Sequence, residues 1–325
     1  MATIKDVAKL SGVSIATVSR VLNNRGYLSD NVKQKVSASM KELNYRPNEL
    51  ARSLNRQKSN ILGLIVPAVS HPFFGDLTRK FETHAHSRGY KLLICNSLQD
   101  TKKEREYIDM LKRSQVDAIM MGSHLLDIED YVGLDLPLCS LDRQLGNSIP
   151  YICCDNHQGG VLATRHLIDR GCKKLLHICG CLEVDMLSNL RTDAFISICK
   201  QTNTPYVICE LPGSSVADFE EEDIIRSILE NNSDCDGVFA TSDLAAAMVI
   251  SIALSMGREV PKDLRVIGFD GGIISEFTYP KLSSIKQPVD AIARYALECL
   301  TRQMDGEAVP TQTILPVTLV ARGST

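Results

Sequence analysis

The sequence has no long apolar run: it lacks the stretch of about 18 consecutive apolar residues that a membrane-spanning helix requires. Its first residues, MATIKDVAKL, carry charges where a secretory signal would have an apolar core. We therefore expect a cytoplasmic, nucleoid-associated protein with no membrane partner.

Paired cysteines are also missing. The eleven cysteines include no C-x-x-C pair, which is the spacing typical of zinc and redox sites. Most of them stand in apolar runs such as KLLIC and YICC, so we expect free, buried thiols in a reducing compartment. The densest cluster is HICGC, with His177, Cys179 and Cys181, and there too we expect no metal. We predict no metal and no cofactor.

The motifs of common catalytic sites do not occur either. The sequence contains no G-x-G-x-x-G, no G-x-x-x-x-G-K-[ST] and no G-x-S-x-G. No motif pairs any of the seven histidines with a nucleophile. We expect a protein that is not an enzyme and assign no catalytic residue.

What the chain does have is an uneven charge. Its 325 residues suggest about two domains. Residues 1–60 carry eleven Lys or Arg and four Asp or Glu, a net charge of +7, whereas the rest of the chain carries −10. Because a phosphate backbone attracts the first segment and repels the second, this asymmetry favours a nucleic-acid-binding head on a separate body.

The head has the pattern of a helix-turn-helix domain. Thr3 can cap a helix over about residues 4–11, which stops at Gly12. Ser14 can cap a second helix, and a third follows over about residues 30–44. The second helix of such a domain enters the DNA major groove by its N-terminal residues.

We predict that the exposed residues of this second helix contact DNA. Apolar side chains there meet thymine methyl groups, while hydroxyl and guanidinium groups bond bases or phosphates. The candidates within residues 1–46 are Ser14, Ile15, Ala16, Thr17, Arg20, Asn23 and Tyr27. Asn23 and Tyr27 could instead serve only local backbone bonds.

A linker over residues 47–60 follows the head. Its segment NELARSLNRQKSN has high helix propensity, but it is too short to be a stable helix alone. We expect a hinge helix that folds on DNA, with Leu54 as an apolar wedge in the minor groove beside Arg52. The alternative is an ordinary interdomain helix with Leu54 packed on the body.

From Ile61 the pattern becomes α/β. Short apolar runs such as ILGLIV, AIMM and GVFA alternate with amphipathic stretches of helical period. Continuous apolar strands between helices predict parallel sheets covered on both faces, and at least eight such strands fit two doubly wound lobes. Ligands bind such sheets at the carboxyl ends of the strands.

Polar and aromatic residues near these strand ends are the ligand candidates. Carboxylates, amides and guanidinium groups bond hydroxyls, and an aromatic ring can stack on a sugar face. The candidates are Phe73, Asp142, Arg143, Asp155, Arg191, Asp243 and Asp270. Their chemistry suggests a neutral, polyhydroxylated ligand. Asp155 and Asp243 could instead cap helices, and Asp142 could pair with Arg143.

The motifs TIKDVAKLSGVSIATVSRVLN, ELNYRPNELARSL and NILGLIVP resemble those of the lactose and galactose repressor (LacI/GalR) family of bacterial transcription regulators. Later stretches such as TSD and GFDG follow in the family's order, so the resemblance spans the chain. Within the family, ICNS, LDRQL and IPYICCDN look most like sucrose-operon repressors.

The resemblance implies a periplasmic-binding-protein-like body over residues 61–325. It divides this body into one lobe of about 61–155 and 286–314 and another of about 156–285 and 315–325. It also implies that Leu54 enters the operator centre, with Ala51 beside it. Asp185 stands where purine-binding relatives carry a basic residue, which argues against a purine effector.

We therefore predict a homodimeric repressor of a sugar-utilisation operon that binds a pseudo-palindromic operator. A small sugar effector, sucrose or a fructoside, would release it. One alternative is a carbon-catabolite regulator of the same family with a phosphorylated carrier protein as corepressor. An enzyme on the same two-lobed fold is a remote alternative, and the basic head argues against an extracellular solute-binding protein.

Overall fold

A computed structural model describes residues 2–23, 26–45, 58–211 and 220–325 of the chain. These belong to two compact units, of residues 1–59 and 60–325. The predicted hinge residues Ala51, Arg52 and Leu54 lie outside the described residues.

Three helices make up the described part of the first unit. They are α1 (Ile4–Ser11), α2 (Ile15–Asn23) and α3 (Asp30–Glu42). Thr3 caps α1 through a reciprocal pair of hydrogen bonds with Asp6, and Gly12 ends it in the left-handed region at φ 68°. The predicted bounds of α1 are thus confirmed, whereas α3 ends two residues earlier than the sequence suggests.

A small apolar core holds the three helices together. Val7 and Ala8 of α1 meet Val18 of α2 and Val36 of α3, and all four are buried. Since this core takes one stripe of α2, the opposite face of that helix is left to solvent.

The second unit contains two six-stranded sheets, each with helices on both faces. In the first sheet the strands, in spatial order, are β11 (Gln312–Leu315), β5 (Tyr151–Cys154), β4 (Leu138–Leu141), β3 (Ala118–Met121), β1 (Ile61–Val66) and β2 (Lys91–Asn96). All their pairings are parallel. We call this sheet and its helices the first lobe.

The second sheet forms the second lobe. Its order is β12 (Thr318–Val320), β10 (Ser283–Lys286), β9 (Arg265–Asp270), β8 (Gly237–Ala240), β6 (Leu175–Cys179) and β7 (Tyr206–Glu210). Strand β12 runs antiparallel to β10 at the edge of this sheet. The doubly wound α/β class is confirmed, because the remaining pairings are parallel.

Helices cover both faces of each sheet. In the first lobe these are α4 (Pro72–Ser87), α5 (Thr101–Arg113), α6 (Ile128–Val132) and α12 (Val289–Met304). In the second lobe they are α7 (Asn156–Asp169), α8 (Leu190–Thr202), α9 (Glu220–Asn231), α10 (Asp243–Ser255) and the short α11 (Ile274–Phe277). Each lobe therefore has two apolar layers, one on each side of its sheet.

The chain passes between the lobes three times. It leaves β5 for α7, leaves β10 for α12, and leaves β11 for β12. All three passages start at a strand's carboxyl end, where a parallel sheet presents its ligand-binding edge.

The cysteines of the second unit are free thiols, and eight of the eleven are buried. Within the described ranges, no helix combines the length and apolar character needed to cross a lipid bilayer.

Helices α7 and α8 approach each other closely at Gly160. A methyl group added to Gly160 would lie 2.5 Å from the carbonyl oxygen of Arg191 and 2.8 Å from the Cβ of Ala194. A backbone oxygen cannot rotate away, so only glycine fits here without moving α8.

We predict that Gly160→Ala lowers the stability of the second unit by about 1 to 3 kcal/mol, because the extra methyl group forces the helices apart. Thermal unfolding of the full chain measures this loss. Gly180→Ala is the control, since a methyl group there meets open space. Equal melting temperatures for the two variants would contradict the prediction.

Candidate functional site

The N-terminal end of α2 is an exposed surface built on a capped turn. The Ser14 hydroxyl accepts the backbone N–H of Thr17 at 3.1 Å and lies 2.9 Å from the Thr17 hydroxyl. Ile15 and Ala16 are exposed beside them, although both are apolar. Apolar side chains that the core leaves uncovered at a helix N-terminus are free to contact a partner.

Two further predicted DNA contacts, Arg20 and Asn23, lie on α2, and Tyr27 lies beyond its end. The side chains of Arg20 and Tyr27 are exposed, and Tyr27 is 99% accessible. Asn23 is half-buried and donates to the Ser19 carbonyl at 2.8 Å, so part of its capacity serves the helix itself. The first unit also exposes five lysines: Lys5, Lys9, Lys33, Lys35 and Lys41.

A cavity of about 390 Å³ lies at the carboxyl ends of the strands in the second unit, between the two lobes. Four of the seven predicted ligand residues line it: Phe73, Asp142, Arg191 and Asp270. They come from β4, β9 and the starts of α4 and α8, as expected for a site at the edges of two parallel sheets.

Arg191 is the buried cation of the cavity, with only 6% of its surface exposed. Its guanidinium lies 3.6 Å from the ring centroid of Phe269, which fixes its plane. Its Nε donates to the Asn156 side-chain carbonyl at 2.7 Å, and one Nη donates to the Thr241 carbonyl at 2.8 Å. The other Nη lies 3.9 Å from the Asp142 carboxylate.

Asp142 faces Arg191 across the cavity from the end of β4. Its backbone is left-handed at φ 60°, a conformation that Asp adopts more readily than most residues. Its carboxylate accepts the Asn156 side-chain N–H at 2.6 Å. Burial raises the pKa of Asp142, and the nearby Arg191 charge opposes that shift.

Asp270 belongs to a buried pair of carboxyl groups. Its side chain accepts from Gln287 at 2.8 Å, and Gln287 lies where the chain crosses between the lobes. Burial and then repulsion from Asp243 raise the pKa of Asp270 to about 8. Asp270 is therefore mainly protonated at neutral pH and can donate a hydrogen bond from this position.

An aromatic wall closes the side of the cavity next to α4. Phe73 and Phe74 pack edge to face with their centroids 5.1 Å apart, and His71 packs against Phe74. Burial lowers the pKa of His71 to about 4, so this ring is neutral. A wall of neutral rings suits the apolar face of a sugar.

The structure places the other three predicted ligand residues behind the cavity. Arg143 donates to the His124 carbonyl at 2.6 Å. Asp155 caps α7 by accepting the Gln158 N–H at 2.9 Å, as the capping alternative proposed. Asp243 accepts from the Gly272 N–H and the Ser284 hydroxyl and so joins α10 to β9 and β10.

Several cavity residues were missed from the sequence. They are Gln99, Ser123, His124, Asn189, Thr192, Thr241 and Gln287. The position of His71, Phe74 and Asn156 after apolar strand segments already indicates this edge of the sheets. His71 and Phe74 line the cavity, and Asn156 bonds Arg191. In the parts of the chain that the structure describes, no group of three His, Cys, Asp or Glu residues could hold a metal ion.

Two family models match this sequence. Residues 3–48 match the model of bacterial regulatory proteins of the lacI family. Residues 164–325 match the model of a periplasmic binding protein-like domain. The matches fall on the two units of the fold.

Full-length relatives are similar over the whole chain. The sucrose operon repressor of Streptococcus mutans is 39% identical over 99% of this chain and 98% of its own length. The ribose operon repressor of Halalkalibacterium halodurans is 35% identical over 100% of this chain and 97% of its own length. Among solved structures, a periplasmic binding protein/LacI transcriptional regulator from Alkaliphilus metalliredigens, complexed with D-xylulofuranose, has 30% identity and a TM-score of 0.74, covering 82% of this chain and 99% of that one.

We predict that Asp270 makes stability fall as pH rises. The folded protein holds this proton up to about pH 8, whereas the unfolded chain releases it near the ordinary value of 3.8. Since the folded state binds more protons between these values, the free energy of unfolding decreases as pH rises through that window.

Thermal unfolding of the full chain at pH 5 and pH 8 tests this. The melting temperature of Asp270→Asn minus that of the wild type should be at least about 2 °C larger at pH 8 than at pH 5. Asp169→Asn, an exposed carboxyl on α7, should follow the wild type at both pH values. Parallel profiles for Asp270→Asn and the wild type would contradict the prediction.

Proposed function

The chain belongs to the LacI family of bacterial regulatory proteins, and we propose that it represses a sugar-utilisation operon until a sugar releases it from the operator. It is a DNA-binding transcription regulator and not an enzyme, as the family is. The observation that carries the proposal is the exposed N-terminal end of α2 on a basic head, in a chain whose second unit holds a cavity with charged groups and aromatic rings in its wall. We place its action on the nucleoid in the cytoplasm.

The exposed end of α2 has the chemistry for reading DNA. Ile15 and Ala16 can pack on thymine methyl groups in the major groove. Arg20 can bond a guanine edge with two parallel hydrogen bonds, and Ser14 and Thr17 can bond phosphates or bases. Tyr27 and the exposed lysines provide further phosphate contacts, so we expect affinity to fall steeply with salt.

The cavity favours a neutral sugar. One buried guanidinium, two carboxyl groups and several uncharged side chains line it, so no excess of positive charge is present to bind a phosphate. Phe73 and Phe74 offer a stacking face, and Asp142, Arg191 and Asp270 offer groups that bond hydroxyls. Sucrose or a fructoside is our preferred effector, because curated relatives include sucrose operon repressors.

A homodimer accounts for two exposed apolar patches. Near α11, the side chains of Ile273, Phe277 and Tyr279 are 67%, 79% and 90% exposed. On the first lobe, Val69, Ile94 and Leu98 are also exposed. Patches of this kind are usually covered by a partner, and a second copy of the chain would place two α2 helices on one pseudo-palindromic operator.

Sugar binding would release the operator by changing how the two lobes are arranged. A ligand between them contacts both, so it favours the arrangement in which both sets of contacts are made. If the operator-bound dimer needs a different arrangement, the ligand weakens operator binding by its differential affinity, commonly about 1 to 3 kcal/mol.

We predict that Arg20→Ala weakens operator binding by about 1 to 3 kcal/mol, because the lost guanidinium bonds a base edge. Selection from a random duplex library with the full chain should first enrich a pseudo-palindrome, and fluorescence anisotropy on that duplex measures the loss. Arg113→Ala removes one exposed positive charge from the second unit and should bind as the wild type does. Equal losses by both variants would refute the base contact.

We predict that Asp142→Asn suppresses release of the operator by sucrose, with operator affinity in the absence of sugar unchanged. Asparagine keeps the left-handed backbone and the side-chain shape but loses the charged acceptor, at a cost of about tenfold in sugar affinity. Asp155→Asn is the control, because asparagine also caps helices and Asp155 lies behind the cavity. Titration of the operator complex with sucrose gives both readouts. Identical sucrose responses in the two variants would show that Asp142 does not bind the sugar.

A further inference from the structure

A buried carboxyl group beneath the cavity wall has no role in the site described so far. Glu104 of α5 is fully buried. It accepts the N–H of Leu125 at 3.1 Å and the hydroxyls of Ser123 and Tyr131. Glu104 thereby ties the loop of residues 122–126, which forms part of the cavity wall, to α5.

These bonds decide where the proton of the Ser123 hydroxyl points. Ser97, also buried, lies with its hydroxyl 2.8 Å from that of Ser123. The Ser123 hydroxyl is one of three donors that converge on the Glu104 carboxyl group, and its oxygen can accept from Ser97. The single Ser123 proton is then used within the protein, and only a lone pair remains for the cavity.

Ser123 lines the cavity, although it is almost fully buried. A ligand group that meets Ser123 there finds a lone pair to donate to and no proton to accept.

We infer that Ser123 forms a subsite that only accepts hydrogen bonds and selects an effector by a hydroxyl group at this place. A ligand with an ether, a carbonyl or a fluorine there would bring lone pairs against lone pairs. The inference deepens the proposed function and rests on it, because it assigns a specificity to the wall of the effector cavity. Ser123 contacts the ligand, whereas Glu104 is a positioning residue that holds the Ser123 proton.

The test compares sugars that differ in one donor. Isothermal titration of the full chain uses sucrose, D-ribose and the monodeoxyfluoro derivatives of each, in which fluorine replaces one hydroxyl in turn. Carboxyl groups elsewhere in the cavity also favour hydroxyls, so the informative quantity is the ratio of parent to derivative affinity in the wild type and in Ser123→Ala. For one hydroxyl we expect a ratio of about three- to tenfold in the wild type and close to one in Ser123→Ala.

A second variant tests the origin of the selectivity. In Glu104→Gln the amide can donate to Ser123 and free its proton, so the ratio at the same hydroxyl should also fall. Ser197→Ala and Glu106→Gln are matched controls on exposed positions of α8 and α5, and they should keep the wild-type ratios. If Glu104→Gln does not fold, Ser123→Ala decides alone.

The outcomes separate the two proposals. The wild type could bind the sugars while Ser123→Ala leaves the ratio of parent to derivative affinity unchanged at every hydroxyl. That result would overturn the subsite and keep the proposed effector class. No binding of sucrose or D-ribose by the wild type would overturn both. A ratio of parent to derivative affinity that falls to about one in Ser123→Ala, at one hydroxyl alone, would establish the subsite.

Discussion

The geometry of the effector cavity depends on one buried cation. Arg191 lies almost out of solvent, where an unpaired charge would cost several kcal/mol. The protein compensates it with two short hydrogen bonds, the face of Phe269 and a carboxylate 3.9 Å away. Asn156 links Arg191 to Asp142, because its amide accepts from the first and donates to the second. Since Asp142 directly follows a strand of the first lobe and Arg191 lies in the first turn of a helix of the second, this network spans the cavity between the lobes.

The same network leaves capacity for a ligand. Arg191 lies 3.9 Å from Asp142, beyond a direct hydrogen bond, so this ion pair is incomplete. Asp270 keeps its proton because burial and the second carboxyl group disfavour its charge. The cavity thus presents a cation, an anion and a carboxylic acid, beside a wall that accepts hydrogen bonds. A polyhydroxylated sugar can complete all of these, since each hydroxyl both donates and accepts.

How far the fold follows from the sequence depends on where each strand lies in its sheet. Most strands predicted from apolar runs, such as β1, β3, β8 and β9, lie inside the sheets, where both faces are covered and the run is continuously apolar. Strand β2, predicted from the run KLLIC, lies at a sheet edge. Strands β7, β11 and β12 lie at sheet edges and are only partly buried, so their runs are short and mixed with polar residues. Strand β10 is internal, but its buried Ser283 and Ser284 bond other polar groups and interrupt the apolar pattern.

The site shows the same limit at the level of single side chains. A strand's end predicts which residues come near the cavity, and it led to Asp142 and Asp270. It does not predict which way each side chain turns: Arg143, directly after Asp142, bonds a carbonyl behind the wall, whereas the left-handed backbone of Asp142 turns its side chain toward Arg191. Nor can a sequence show that the Ser123 proton is engaged, because its partners Glu104 and Ser97 lie 19 and 26 residues away. The specificity of such a cavity is therefore set by buried polar partners, and these are visible only once the chain is folded.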